Sequence, residues 1–168
     1  MLFSAFSIAV YSQSLRDLEL LTMSKGKLDS IEIKLKSWDY SLTVVKNKTV
    51  DSVNYDTYLF TRPSSDYYIY STVLVTKNNT DIEKGIFWEI TLVTFSDKRF
   101  DELRQECIKS ANPKYSKEKI MGDTFVRNYK SEFFDYSFKL ENAKDKNSPI
   151  YYYVKIRCNP ANMIMLND

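Results

Sequence analysis

Apolar residues in the first quarter of the chain recur at helical spacing. Leu15, Leu18 and Leu21 form one stripe, Gly26 interrupts it, and Leu28, Ile31, Leu35 and Trp38 resume it. The period then changes. Short runs rich in β-branched and aromatic residues at 41–46, 53–62, 67–77 and 86–95 read as strands, separated by polar stretches at 47–51, 63–66 and 78–85. A second helix is predicted after Asp97, which can cap it, with Phe100, Leu103 and Cys107 on one face and Pro113 at its end. Strands at 117–121 and 124–130 flank Gly122-Asp123, a hairpin signal. Two more follow at 133–140 and 150–158, before Pro160 and a short apolar tail at 163–166.

The order is a helical segment and four strands, then the same again. Short polar connections suit antiparallel hairpins and exclude parallel crossovers. The fold class is therefore α+β, with two tandem helix-plus-antiparallel-sheet repeats and the helices packed on one sheet face. The first repeat spans 13–95 and the second 96–168. A partial sequence match accompanies this: Tyr40-Ser41 recurs as Tyr115-Ser116, and Asn54-Tyr55 as Asn128-Tyr129. Alternation assigns the strand faces. Phe134, Tyr136, Phe138 and Leu140 fall on one side with Tyr152, Val154, Ile156 and Cys158, facing the helix. Phe133, Asp135, Ser137 and Lys139 fall on the other, with Tyr151, Tyr153, Lys155 and Arg157. In the first half Ile86, Trp88, Ile90 and Leu92 point inward. Phe87, Glu89, Thr91 and Val93 point outward with Tyr68, Tyr70 and Thr72.

Tandem units of this order and length resemble the architecture of the β-lactamase inhibitor proteins. In that family two sheets form one concave, aromatic-rich surface that grips a target enzyme, so the resemblance implies a binding role. It covers most of the chain as topology and period, with no motif matched residue by residue. The family usually has a disulfide in each repeat, whereas both cysteines here lie in the second half. Similar duplicated sheets occur in lipoprotein modules of the bacterial envelope, so inhibition is not implied by architecture alone.

Composition narrows the function classes. With 24 basic and 22 acidic residues the net charge is +2, which provides no field to attract nucleic acid or an anionic membrane. The 13 tyrosines and 10 phenylalanines, against 3 glycines, favour ordered strands. Residues 1–12 carry no charge and have an apolar centre, with Val10 and Ser12 at the positions a signal peptidase requires. They read as the end of a signal peptide, too short to span a bilayer, which points to a secreted or periplasmic protein. No lipobox cysteine stands near position 13. In an oxidising compartment Cys107 and Cys158 could form a bridge worth about 4 kcal/mol, or they could be two free buried thiols.

Catalytic signatures are sparse. There is no histidine, which removes histidine-based triads and metal sites. Gly26, Gly85 and Gly122 stand too far apart for a phosphate loop. Ser-x-x-Lys occurs at Ser24/Lys27 and Ser116/Lys119, about as often as chance gives with 18 serines and 18 lysines. Asp101, Glu102, Glu106, Asp135 and Glu141 could pair as acid and base only if the fold brings two together. No catalytic residue, metal or cofactor is assigned.

The tyrosine clusters remain. Tyr67, Tyr68 and Tyr70 share one strand, and Tyr151, Tyr152 and Tyr153 another, so alternation puts at least one of each cluster on each sheet face. Tyrosine and arginine are favoured at interface hot spots. The expectation is an exported, non-enzymatic binding module. It would bind a protein or envelope component through Tyr151, Tyr153, Lys155 and Arg157, with Phe133 and Tyr70. The alternative is a small hydrolase or ligand carrier with carboxylates in a cleft between sheet and helix.

Overall fold

Ser14 opens the first helix, α1 (Leu15–Thr22), through a capping box. Its hydroxyl accepts from the Asp17 N–H, and the Asp17 carboxylate accepts from the Ser14 N–H at 3.0 Å. The computed structural model describes residues 13–23, 28–50, 53–63, 70–78, 88–110, 115–121, 124–141 and 150–158. Residues 1–12, read from sequence as a leader, lie outside them, as do Gly122-Asp123 and Tyr67-Tyr68.

The second helix, α2 (Leu28–Lys36), ends in a Schellman turn. Asp39 adopts a left-handed φ of 64°, the Asp39 N–H donates to the Lys36 carbonyl, and the Tyr40 N–H donates to the Leu35 carbonyl at 3.0 Å. Leu35 and Tyr40, the hydrophobic pair of that motif, are both buried. The turn reverses the chain into β1 (Ser41–Val50). The strands β2 (Val53–Pro63), β3 (Tyr70–Asn78) and β4 (Trp88–Thr94) complete a meander. The third helix, α3 (Asp97–Ser110), is followed by β5 (Tyr115–Met121), β6 (Thr124–Lys130), β7 (Phe134–Glu141) and β8 (Tyr151–Cys158).

Two local expectations are corrected. Ser96, not Asp97, caps α3: its hydroxyl accepts from the Arg99 N–H at 3.1 Å, and Asp97 is the first helical residue, where its charge complements the dipole. The polar stretch expected to be a turn at 47–51 is strand as far as Val50, pairing Lys48 with Tyr55 and Thr49 with Asn54. This end of β1 is exposed, so no face needs apolar residues and the alternation that marks a buried strand is missing.

All eight strands belong to one antiparallel sheet, in the order β1-β2-β3-β4-β8-β7-β6-β5. Each half is a four-stranded meander, and β4 pairs with β8 to join them. On the helix side the first meander carries the cross-strand row Phe60–Val73–Leu92 and the second the row Tyr129–Tyr136–Ile156. All six of these residues are buried. Tyr55 faces Lys48 near the hairpin end, while Tyr129 faces Ser116 at the hairpin base.

The helices pack on this one face. Leu15, Leu18, Leu21, Ile31, Leu35, Phe100 and Leu103 join the inward sheet residues in a single core cluster. Phe100 meets Phe138 edge to face at 5.6 Å and Tyr152 at 5.1 Å. Cys107 and Cys158 lie in the same cluster as free, buried thiols, so the bridge left open by the sequence is not formed. Among the described residues no helix is long and apolar enough to cross a membrane.

Candidate functional site

With the three helices on one side, the outward residues of the strands form an open face. Its centre is three cross-strand rows. The first runs Thr57–Thr76–Glu89–Arg157–Asp135–Lys130, the second Leu59–Leu74–Thr91–Lys155–Ser137–Asn128, and the third Thr61–Thr72–Val93–Tyr153–Lys139–Val126. Tyr151 lies beyond the third row, opposite Glu141.

Period two therefore brings Tyr151, Tyr153, Lys155 and Arg157 together on β8, which sits in the middle of the sheet. Tyr151 and Tyr153 lie near-parallel at 6.4 Å, Phe95 adds a third ring 5.0 Å from Tyr151, and the Lys139 ammonium stands 5.0 Å over Tyr153. Lys155 pairs with Glu89 at 2.9 Å, Lys139 with Glu141 at 2.7 Å, and Lys130 with Asp135 at 4.0 Å. Such exposed pairs contribute at most about 1 kcal/mol each, so their role here is to hold long side chains in place. Arg157 is exposed and has no ion pair with a described residue. Burial pushes the Tyr153 phenol above its ordinary range, helped by nearby Glu141 and opposed by Lys139. It is a neutral hydrogen-bond donor at physiological pH.

The face is not flat. Short side chains at Thr57, Thr76, Thr91 and Ser137 leave a depression of about 470 Å³ with Leu74 in its lining. The longer Glu89, Lys139, Tyr153 and Lys155 complete the lining. Alternation alone puts Glu89, Thr91, Ser137 and Lys139 on this face. It does not reveal the depression, whose only trace in the sequence is a run of small hydroxyl residues at outward positions.

The remaining expected site residues lie elsewhere. Phe133 precedes β7 and packs against the helix-side core instead of joining the open face. The bend at 132–133 breaks the alternation that assigned it. Tyr70 opens β3 opposite Pro63, and its side chain lies outside the described residues. Tyr152 faces the helices, as alternation requires.

A second cleft, of about 550 Å³, lies between α1, α3 and the segment before β7. Glu19, Glu106, Phe133 and Tyr136 line it. Its carboxylates have structural partners. The Leu15 N–H donates to Glu106 Oε2 at 2.6 Å, and the Tyr136 hydroxyl donates to Glu19 Oε1 at 2.8 Å. Arg16 reaches Glu19 at 3.2 Å. Burial and then the adjacent Glu19 push the Tyr136 phenol well above its ordinary range. Removing that hydroxyl by Tyr136→Phe leaves a buried acceptor short of a donor, and is expected to lower stability by about 1–3 kcal/mol in urea unfolding.

The other carboxylates considered for acid–base chemistry are dispersed. Asp101 pairs with Arg104 and Glu102 with Arg99 on α3, each at 3.1 Å, while Asp135 and Glu141 lie on the open face. Among the described residues no three His, Cys, Asp or Glu side chains are grouped to hold a metal. No family model, no curated protein and no solved structure matches this chain.

Proposed function

We propose that this chain is an exported, non-enzymatic binding module that holds a protein or an envelope component against the open face of its sheet. The observation that carries the reading is the segregation of the two faces. The helices and the apolar core occupy one side, and a stacked, partly exposed tyrosine pair with Lys155 and Arg157 beside it occupies the other. Tyrosine offers large rigid area with a polar tip, and arginine adds directed charge, which is the composition of interface hot spots. The central position of β8 places these residues where neighbouring strands can shield them from water. Export rests on the uncharged, apolar residues 1–12 and their small residues at the cleavage positions.

The two meanders belong, on this reading, to a duplicated unit like that of the β-lactamase inhibitor architecture. Its support is the strand order and the presence of a buried helix-side row in each meander. The double variant Tyr153→Ala/Arg157→Ala should lose a partner recovered by affinity capture from the cell envelope or medium, while its melting temperature stays within a few degrees of the parent. An unchanged capture, or loss of the folded state, would overturn the assignment of this face.

A second reading, a carboxylate-dependent hydrolase or a ligand carrier, draws on one observation: Glu19 and Glu106 line a single cleft between sheet and helices. Their engagement by Tyr136, Arg16 and the Leu15 N–H favours a structural role.

A further inference from the structure

We propose that the depression on the open face is a socket for the carboxylate of an Asp or Glu presented on a partner protein's loop. The inference rests on the open face being the binding surface, and it adds the chemistry of the partner's anchor.

The lining supplies donors in excess. Thr91 is only 8% exposed, yet it lines the depression, and its hydroxyl is hydrogen-bonded to no described residue. The Ser137 hydroxyl is likewise without such a partner and stands across β8 in the same cross-strand row, with Lys155 between the two. Lys139 and the neutral Tyr153 phenol stand one row away.

The acidic groups nearby are already engaged, Glu89 by Lys155 and Glu141 by Lys139. Lysine carries three donors, so each of these ammoniums can hold its present partner and still donate to an incoming oxygen. A carboxylate accepts at about four positions and needs such convergent donors to leave water. Charge points the same way: two lysines and one glutamate line the depression, and Arg157, which has no ion pair with a described residue, lies one row from Lys155. With Lys139 and Lys155 each paired to a carboxylate, the uncompensated charge beside the depression is that of Arg157, which disfavours a cationic anchor.

A volume of about 470 Å³ exceeds one carboxylate and suits the tip of a loop, with Leu74 and the Tyr153 ring available to its apolar atoms. Three of the four open-face cations described on β6, β7 and β8 are already paired, which leaves little to neutralise a phosphate backbone.

The test is selection of a phage-displayed library of disulfide-closed random loops on the immobilised whole chain. The probes are then the selected peptides themselves. The expected result is a shared Asp or Glu whose replacement by Asn or Gln weakens binding to the parent protein about tenfold or more. Binding should also fall for Thr91→Phe, which fills the socket, and for Lys155→Glu, with recovery when the peptide's acid is changed to Lys. Because the acid-to-amide comparison uses the parent protein, it holds even if a variant fails to fold. Peptides that depend on Tyr153 and Arg157 but carry no shared acid, or tolerate the amide, would overturn the socket and leave the face reading standing. Peptides indifferent to Tyr153→Ala and Arg157→Ala, or no selected peptides at all, would overturn both.

Discussion

Replacing Phe138 with alanine is expected to cost about 3–5 kcal/mol, a large part of the roughly 5–15 kcal/mol that holds a domain of this kind folded. Phe138 has no exposed surface, and its ring meets those of Phe100 at 5.6 Å and Tyr129 at 5.7 Å, both edge to face. It therefore links α3 to β6 and to the centre of the sheet through β7. Truncation removes the ring from a close-packed site that cannot collapse, because strands on both sides hold β7 in place. Urea unfolding should show a lower midpoint with a similar slope. An unfolding free energy within about 0.5 kcal/mol of the parent would mean that this part of the core is not packed as described.

Stability should also fall steeply in alkali. Burial first, and the neighbouring Glu19 second, push the Cys107 thiol from an ordinary 9.0 up to about 12. A group whose proton is held more tightly in the fold than in the unfolded chain stabilises the fold fully below the unfolded value. That contribution is lost as pH rises through the folded value. The window therefore opens near pH 9 and closes near pH 12. At about pH 10.5 the loss from this thiol alone should be about 2 kcal/mol, at 1.4 kcal/mol per unit. Tyr136, raised by its own burial and by Glu19, adds to the loss once the unfolded phenol begins to ionise near pH 10. Urea midpoints at about pH 8 and about pH 10.5 for the parent and Cys107→Ala provide the check. The parent should lose about 2 kcal/mol more than the variant across that interval, since any cavity left by the substitution counts equally at both pH values. Equal losses would place the thiol in contact with water.

Much of the architecture is legible along the chain because it depends on local spacing. The break at Gly26, the helical stripe of Phe100, Leu103 and Cys107, and the alternation through β7 and β8 each involve residues only a few positions apart. Sequence reading fails where the local signal is weak or shared. The end of β1 carries no alternation because it is exposed, and Ser96 and Asp97 are both good caps standing side by side. Phe133 loses its expected face because the chain bends before β7 begins.

The order of helices and strands, their antiparallel sense and the side chains of β8 that share a face are all readable from the chain. These follow from backbone periods of 3.6 and 2, which need no distant partner. Long-range packing sets the pairing of β4 with β8 in one eight-stranded sheet, the bond from Tyr136 to Glu19 across 117 residues, and the unbonded state of Cys107 and Cys158. The depression on the open face belongs to this second group. Its depth arises where short side chains of β2, β3, β4 and β7 meet among longer ones, and strand pairing across the β4–β8 join sets that meeting, beyond the reach of any local pattern.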